Sequence, residues 1–525
     1  MKLSRTIAAG LVAGATLVGS AWAGVGLVPI STDTPPVVDA DAAATTAGAV
    51  GIEHRTGVPK PAGSLVGAAK VSIYPDPETY DGTWERDRAK CATLSEDAFS
   101  NPPSGDHLAA AGTPWPENPS CIYMGGYGIG PMNPIVEVEP DYGFWVRSVA
   151  IGDGTDTIVL TVIDAEGYLW DYKSKCERCG SKQLAEDLGA ELGIAKESFV
   201  IAATHSHTAP DLIGGWGFVP DWYMNQVTDA IKTSVRDAVA TMRPATIEVG
   251  EVTARGQNRE RRDTYRSAEE QQLTWLRAID EKKDVIATVG AYAAHPTSAE
   301  ESTGLGDPDW IGRFEKGVEE RFGGVGLHFM TGLGNMSTSG GVEMGHVLAG
   351  MVPDIGDGTV LTNTDLRVTQ ATWEQPATNV PLTALGFPGF FDREFLTTPS
   401  ALRTGKSPDT APCLSTSAFT VELPATAARI GDQFALTAAP GEVFSNLTNT
   451  IKDNAKATVT MPLAQANDAL GYMPQSFELS PVGQQGLGFV AGGVLIVNYE
   501  DSYAIDRCVG DMVLETTLTL LDSIR

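Results

Sequence analysis

The chain reads as an α/β protein: mixed β-sheets flanked by helices, in one large domain. Three observations predict this. Short apolar runs of strand length alternate along the chain with segments whose apolar residues fall at helical spacing. Apolar residues make up 42% of the sequence, enough for a substantial core. No internal repeat divides it.

Taken in order, the first 23 residues have the pattern of a secretory signal. Lys2 and Arg5 form a charged start, residues 6–20 a short apolar stretch, and Ala21-Trp-Ala23 a cleavage pattern. The mature chain is then expected to begin near Gly24, in a periplasm or outside the cell. The stretch is too short and too weakly apolar for a stable membrane span, and no Cys follows it to carry a lipid anchor. No later segment is an uninterrupted apolar run of about 18 residues. Residues 24–55 are rich in Ala, Thr, Asp, Gly and Pro and read as a flexible lead-in to a domain over 56–525.

Ordered structure is expected from Ala68. Residues 144–150 and 157–163 read as two strands around the Asp153-Gly154 turn. Leu184, Leu188 and Leu192 predict a helix, as do Val227, Ile231, Val235 and Val239; between them 199–203 is a strand. Residues 246–249 alternate like a strand. Residues 273–279 and 285–294 flank a charged turn and predict a hairpin. Residues 311–322 read as a helix, 326–331 as a strand, 418–423 and 434–439 as strands, and 512–524 as a closing amphipathic helix. The stretch 345–415 is Pro/Gly/Thr-rich and shows no clear period. It reads as ordinary packing or, near a site, as a substrate lid.

The formal net charge of −29 argues against nucleic acid as a partner, because phosphate binding needs a basic surface. The six cysteines suit an oxidising compartment, and pairing of sequence neighbours is the favoured scheme: 91–121, 176–179 and 413–508. Cys176-Glu-Arg-Cys179 also has the spacing of a redox pair or half a zinc knuckle.

The chemistry-bearing residues collect at strand ends, where active sites of α/β sheets gather. Thr204-His-Ser-His-Thr-Ala-Pro210 follows the strand 199–203 and sets His205 and His207 two residues apart. On an extended chain that spacing sends both imidazoles to one side, as half of a zinc site. His295 follows the run 285–294, Glu442 the run 434–439, and Ser337 a strand ending at Thr331; Tyr472 lies shortly after 457–463. Each alone has a plainer reading. His295 suits a hydrogen-bonded core, Glu442 a helix start, Tyr472 packing and Ser337 a turn.

In combination these motifs resemble the neutral (non-lysosomal) ceramidases, secreted zinc amidases. The signature Thr-His-Thr-His-Ser-Gly-Pro is matched by Thr204 to Pro210, His-Gly-Thr-Ser by His295-Pro-Thr-Ser298, and Pro-Gly-Glu by Pro440-Gly-Glu442. Gly-Asp-Val-Ser-Pro is matched loosely by Gly334-Asn-Met-Ser-Thr338. Asn467 stands five residues before Tyr472, and Asn258-Arg259 follows an early strand. The order along the chain is the same. The resemblance implies one Zn2+ per chain held by His205, His295, Glu442 and Tyr472. It places His207 beside the water, and Arg259 and Tyr499 near the reacting amide. Ser337 then orients water or substrate, or acts as a nucleophile; it sits in no G-x-S-x-G elbow.

The expected function is therefore hydrolysis of an N-acyl amide, by default ceramide or a related N-acyl lipid, through a zinc-bound hydroxide. The alternatives are a zinc hydrolase of another amide or ester, and a non-catalytic binding protein retaining the fold. The sequence departs from the family at Thr208-Ala209 and at Asn335-Met-Ser-Thr338. It also ends about fifty residues past Tyr472, short of the immunoglobulin-like domain that ceramidases carry.

Overall fold

The computed structural model describes residues 63–75, 121–126, 133–379 and 392–480 with short breaks, 499–525, the strand Val37–Asp39 and a few isolated positions. Eight strands build the main path of a nine-stranded mixed sheet: β1 (Ser64–Ser72), β2 (Trp145–Gly152), β3 (Thr157–Ile163), β4 (Phe199–Ala203), β5 (Arg243–Thr253), β6 (Gln272–Asp280), β7 (Val285–Tyr292) and β8 (Val325–Met330). Their spatial order is β8-β7-β6-β5-β1-β2-β3-β4, with Thr359–Val360 added beside β5. The pairs β3–β4 and β7–β8 are parallel, and the expected hairpin β6–β7 is antiparallel. A second, four-stranded sheet follows the order β9 (Leu366–Pro376), β10 (Thr420–Ile430), β11 (Phe434–Ala438), β12 (Val459–Leu463).

Side-chain alternation decides how the layers stack. In β3, Val159 and Ile163 pack toward helices α1 (Ser181–Leu192) and α2 (Asp221–Ala240), whose Leu184, Leu188, Val227 and Ile231 complete that core. The intervening Ile158, Leu160 and Val162 face the other way, against Val368, Ile430, Leu436 and Met461 of the second sheet. The two sheets are thus stacked face to face. A third core joins α3 (Asp309–Phe322) and α4 (Met344–Met351) to α5 (Ser445–Asn454) and α6 (Val509–Ser523) around Trp310, Phe314, Leu447 and Met512.

The unreadable stretch 345–415 contains α4 and the eleven-residue β9. Strand β9 escaped notice because both its faces are covered: Val368 meets the central sheet, while Ala371 and Trp373 face the helices beyond. Its polar residues therefore do not mark an outer face. Within the lead-in, Val37–Asp39 pairs in parallel with Ser400–Arg403; the signal segment and residues 384–391 of the Pro/Gly/Thr-rich stretch lie outside the described residues. The disulfides are Cys91–Cys121, Cys176–Cys179 and Cys413–Cys508. Among the described residues no helix is long and apolar enough to cross a membrane.

Candidate metal centre

The site forms where the ends of β4 and β7 meet the second sheet. Strand β4 stops at Ala203, and His205 takes a left-handed conformation with φ of 59°. The chain turns there, so the pleat does not align the two imidazoles; the turn does. Their rings meet edge to face, with centroids 4.9 Å apart. The His205 N–H bonds to Ala165 O at 2.9 Å, and the His207 N–H to Pro296 O at 3.1 Å. Gly126 closes over the His207 ring: a Cβ there would lie 2.2 Å from Nδ1, so only glycine admits this approach.

His295 follows β7, and its main chain bridges Ser337. Glu442 and Tyr472 come from two short parallel strands, Glu442–Val443 and Tyr472–Met473, in direct register. Glu442 is therefore in a strand, and the nearby helix starts only at Ser445. All five side chains of His205, His207, His295, Glu442 and Tyr472 are buried.

Hydrogen bonding fixes which atoms face inward. His205 Nδ1 donates to Glu166 O at 2.8 Å, and His295 Nδ1 donates to Leu333 O at 2.7 Å. Both Nε2 atoms are left as acceptors, the arrangement that metal-ligating histidines use. His295 Nε2 lies 2.8 Å from Glu442 Oε2 and 3.3 Å from the Tyr472 hydroxyl. His205 Nε2 lies 3.5 Å from Glu442 Oε2 and 3.4 Å from His207 Nε2. Donors about 2.0–2.1 Å from one tetrahedral ion stand roughly 3.3 Å apart, so this set has the span of a coordination sphere. Acceptors facing one another also need a cation or a proton between them. The buried group His205, His207 and His295, with ligand atoms within 4.8 Å of one another, is compatible with a metal site.

The electrostatics agree. Burial opposes a charge on His205, but Glu442 and Glu166 outweigh it and raise its pKa to about 9. Burial also opposes the Glu442 charge, but His205 and His295 hold its carboxyl well below the usual range. Burial and Arg261 lower His295 to about 4, and burial with the neighbouring histidines pushes His207 well down.

Other expected residues are placed differently. Arg259 is exposed on the short strand Asn258–Glu260. Arg261 reaches the cluster instead, donating to the Tyr472 hydroxyl at 2.9 Å and to Gly334 O at 3.0 Å. Its Nε donates to Glu500 at 2.9 Å. The chain direction explains the shift: Asn258 is anchored to Glu270 O and Ala293 O, and the segment passes the site only after Glu260. Ser337 pairs through its main chain with both Arg259 and His295, is half-buried, and does not line the cavity beside the cluster. Tyr499 begins the short helix Tyr499–Ser502; its side chain lies outside the described residues. Arg261 carried no signal beyond proximity to the Asn-Arg pair. Glu166, also missed, sits at a strand end, the placement that singled out the histidines; burial raises its pKa to about 8.

A cavity of ≈110 Å³ opens from His205, His207, Glu442 and Tyr472, and Leu169, Ile213, Trp216, Phe395, Leu470 and Ile505 give it an apolar wall.

No family model and no curated protein sequence matches this chain. Solved structures do match, and two of them do so across most of it. A ceramidase complexed with C2 is 15% identical, with a TM-score of 0.58, covering 88% of this chain and 75% of that one. The neutral ceramidase of Pseudomonas aeruginosa is also 15% identical, with a TM-score of 0.55, covering 88% of this chain and 74% of that one. The chain therefore has a neutral-ceramidase-like fold, with the candidate metal centre set into it.

Proposed function

We propose that the protein is a zinc-dependent hydrolase of N-acyl amides, with ceramide or a related N-acyl lipid as the default substrate. One observation carries this reading: His205, His295, Glu442 and Tyr472 converge from four separate segments at the end of an apolar cavity, with both Nδ1–H groups committed to carbonyls. The ceramidase-like fold supports it.

In this reading His205, His295, Glu442 and Tyr472 hold the ion. Zinc there would polarise the scissile carbonyl and acidify the attacking water. His207, kept neutral by burial and its histidine neighbours, takes the water proton and passes it to the leaving nitrogen. Arg261 holds the Tyr472 hydroxyl in place and sets a positive charge near the developing oxyanion. The apolar wall takes the acyl or alkyl part of the substrate. Secretion, expected from the first 23 residues, agrees with the three disulfides.

Metal analysis of the purified protein, with hydrolysis of a panel of N-acyl amides and esters including ceramide, tests the proposal. About one zinc per chain and turnover of amides are expected. Protein that binds no zinc and cleaves no member of the panel leaves the reading as a non-catalytic binding protein. Turnover of esters alone moves the substrate class.

A further inference from the structure

One polar side chain of the cavity wall has no part in the proposed chemistry and no reason in the backbone. Gln465 lies just after β12, lines the cavity and is 2% exposed. It takes a left-handed conformation with φ of 51°. Its N–H donates to Gly441 O at 3.0 Å, and its main-chain oxygen accepts from the Ala203 N–H at 3.1 Å. Gln465 is thus pinned between the loops that carry Glu442 and His205. Glycine or asparagine suits such a turn better than glutamine, so the side chain, not the turn, accounts for the residue. Among the described residues its Oε1 is buried and has no hydrogen-bond partner.

The other polar members of the wall are engaged. His205, His207, Glu442 and Tyr472 belong to the cluster itself. Glu166, whose Oε2 also lacks a partner, turns Oε1 toward His205 Nδ1 at 3.5 Å and so belongs to the surroundings of that ligand. Arg393 pairs with Asp171 and Asp468. Tyr503 is anchored through its main chain to Glu500 and Tyr472. The Gln465 carboxamide carries no charge at any pH. With one acceptor oxygen and two donor hydrogens it suits a neutral polar ligand. A buried acceptor is costly until a donor reaches it.

We infer that Gln465 is the amide-recognising residue of this cavity, its Oε1 accepting the N–H of the scissile bond. The inference rests on the hydrolase reading, which supplies that ligand. A secondary amide is planar and trans, so its N–H points away from its carbonyl oxygen. With the carbonyl presented to the metal centre, the N–H is turned into the wall, where Oε1 receives it. An ester offers no N–H and leaves Oε1 unpaired. A site that hydrogen-bonds a ligand group rejects the analogue that lacks it, because the buried protein group stays unsatisfied. Gln465 thus sets the preference for secondary amides over esters.

The test compares N-octylacetamide with 2-undecanone, which carries a CH2 in place of the N–H, on the zinc-loaded full chain. Each is titrated by calorimetry, or as a competitor of a longer amide where N-octylacetamide is itself cleaved. The wild type should bind the amide at least as tightly as the ketone. Gln465→Met, of similar length without a polar end, should lower the amide-to-ketone ratio about tenfold, as loss of one buried hydrogen bond does. Gln465→Asn, which suits the left-handed turn, should lower it by shortening the reach. A wild type that favours the ketone, a ratio unmoved in both variants, or a ratio lost in Glu166→Gln instead would overturn the inference. The wild-type ratio decides the matter even where a variant does not fold. Amide hydrolysis with a ratio independent of Gln465 removes this inference alone. A Gln465-dependent ratio in a protein that cleaves no amide keeps the binding role and removes the hydrolase reading.

Discussion

His295 and His328 are both fully buried histidines at neighbouring strands, yet they sit in opposite environments. His295 follows β7 and is 1% exposed; His328 lies in β8, opposite Gly290 of β7, and is 0% exposed. His295 gives its Nδ1 proton to Leu333 O and turns Nε2 toward Glu442 and Tyr472. Neither ring nitrogen of His328 has a hydrogen-bond partner; the ring is wedged edge-on against Trp310 and Phe314, with centroids 4.7 and 5.1 Å away. Burial lowers both pKa values, to about 4 and about 3. Burial and a depressed pKa therefore do not make a ligand. A ring with a carbonyl behind it and anionic oxygens in front of it has the arrangement that a metal ligand needs.

The largest effect expected from this contrast is on metal. His295→Ala should lose the zinc and cut amide turnover by at least about a hundredfold, since removing even an outer-shell partner costs 10–100-fold. His328→Leu should keep the full zinc content. Equal zinc content in the two variants by atomic absorption would erase the distinction.

The second effect concerns acid stability. The folded pKa of His328 lies near 3, below its unfolded value of about 6.5. Between those values the unfolded chain binds the extra proton, so stability falls as pH drops through this window. From pH 6.5 to pH 5 the loss from this one group is on the order of 2 kcal/mol. His328→Leu should abolish that part of the slope and leave a buried apolar side chain of similar size. Denaturant melts at pH 5 and pH 7 measure it; an unchanged slope in the variant would show that His328 finds a proton partner in solution.

The smallest effect separates two arginines. Arg261→Lys keeps the charge but not the paired contacts to Tyr472 and Gly334, and should lower kcat about tenfold. Exposed Arg259→Ala should change kcat by no more than about twofold, within the usual range of surface substitutions. Steady-state kinetics on one amide reads both, and a reversal of the order would return the role to Arg259.

Much of this was legible beforehand. The α/β class, the hairpin β6–β7 and the disulfide pairs follow from local patterns. Helices α1 and α2 follow from leucines and valines at helical spacing. The strand-end rule singled out His205, His207, His295, Glu442 and Tyr472, which the fold brings together, because a loop that begins where a strand stops is where the fold can spare a polar side chain. Strand β9 was hidden, since burial on both faces removes the alternation on which strand reading depends. The same rule applied to Asp164-Ala-Glu166 would have found Glu166, but no motif drew attention to it.

The sequence by itself determined which residue types end the strands and in what order they come, because these are properties of neighbours along the chain. Only the tertiary structure decided which of them meet. The turn at His205, the register of Glu442 against Tyr472, the passage of Arg261 rather than Arg259 past the hydroxyl, and the unsatisfied ring of His328 all depend on contacts between distant segments. Such contacts are set by the stacking of the two sheets, and that stacking leaves no mark in local periodicity.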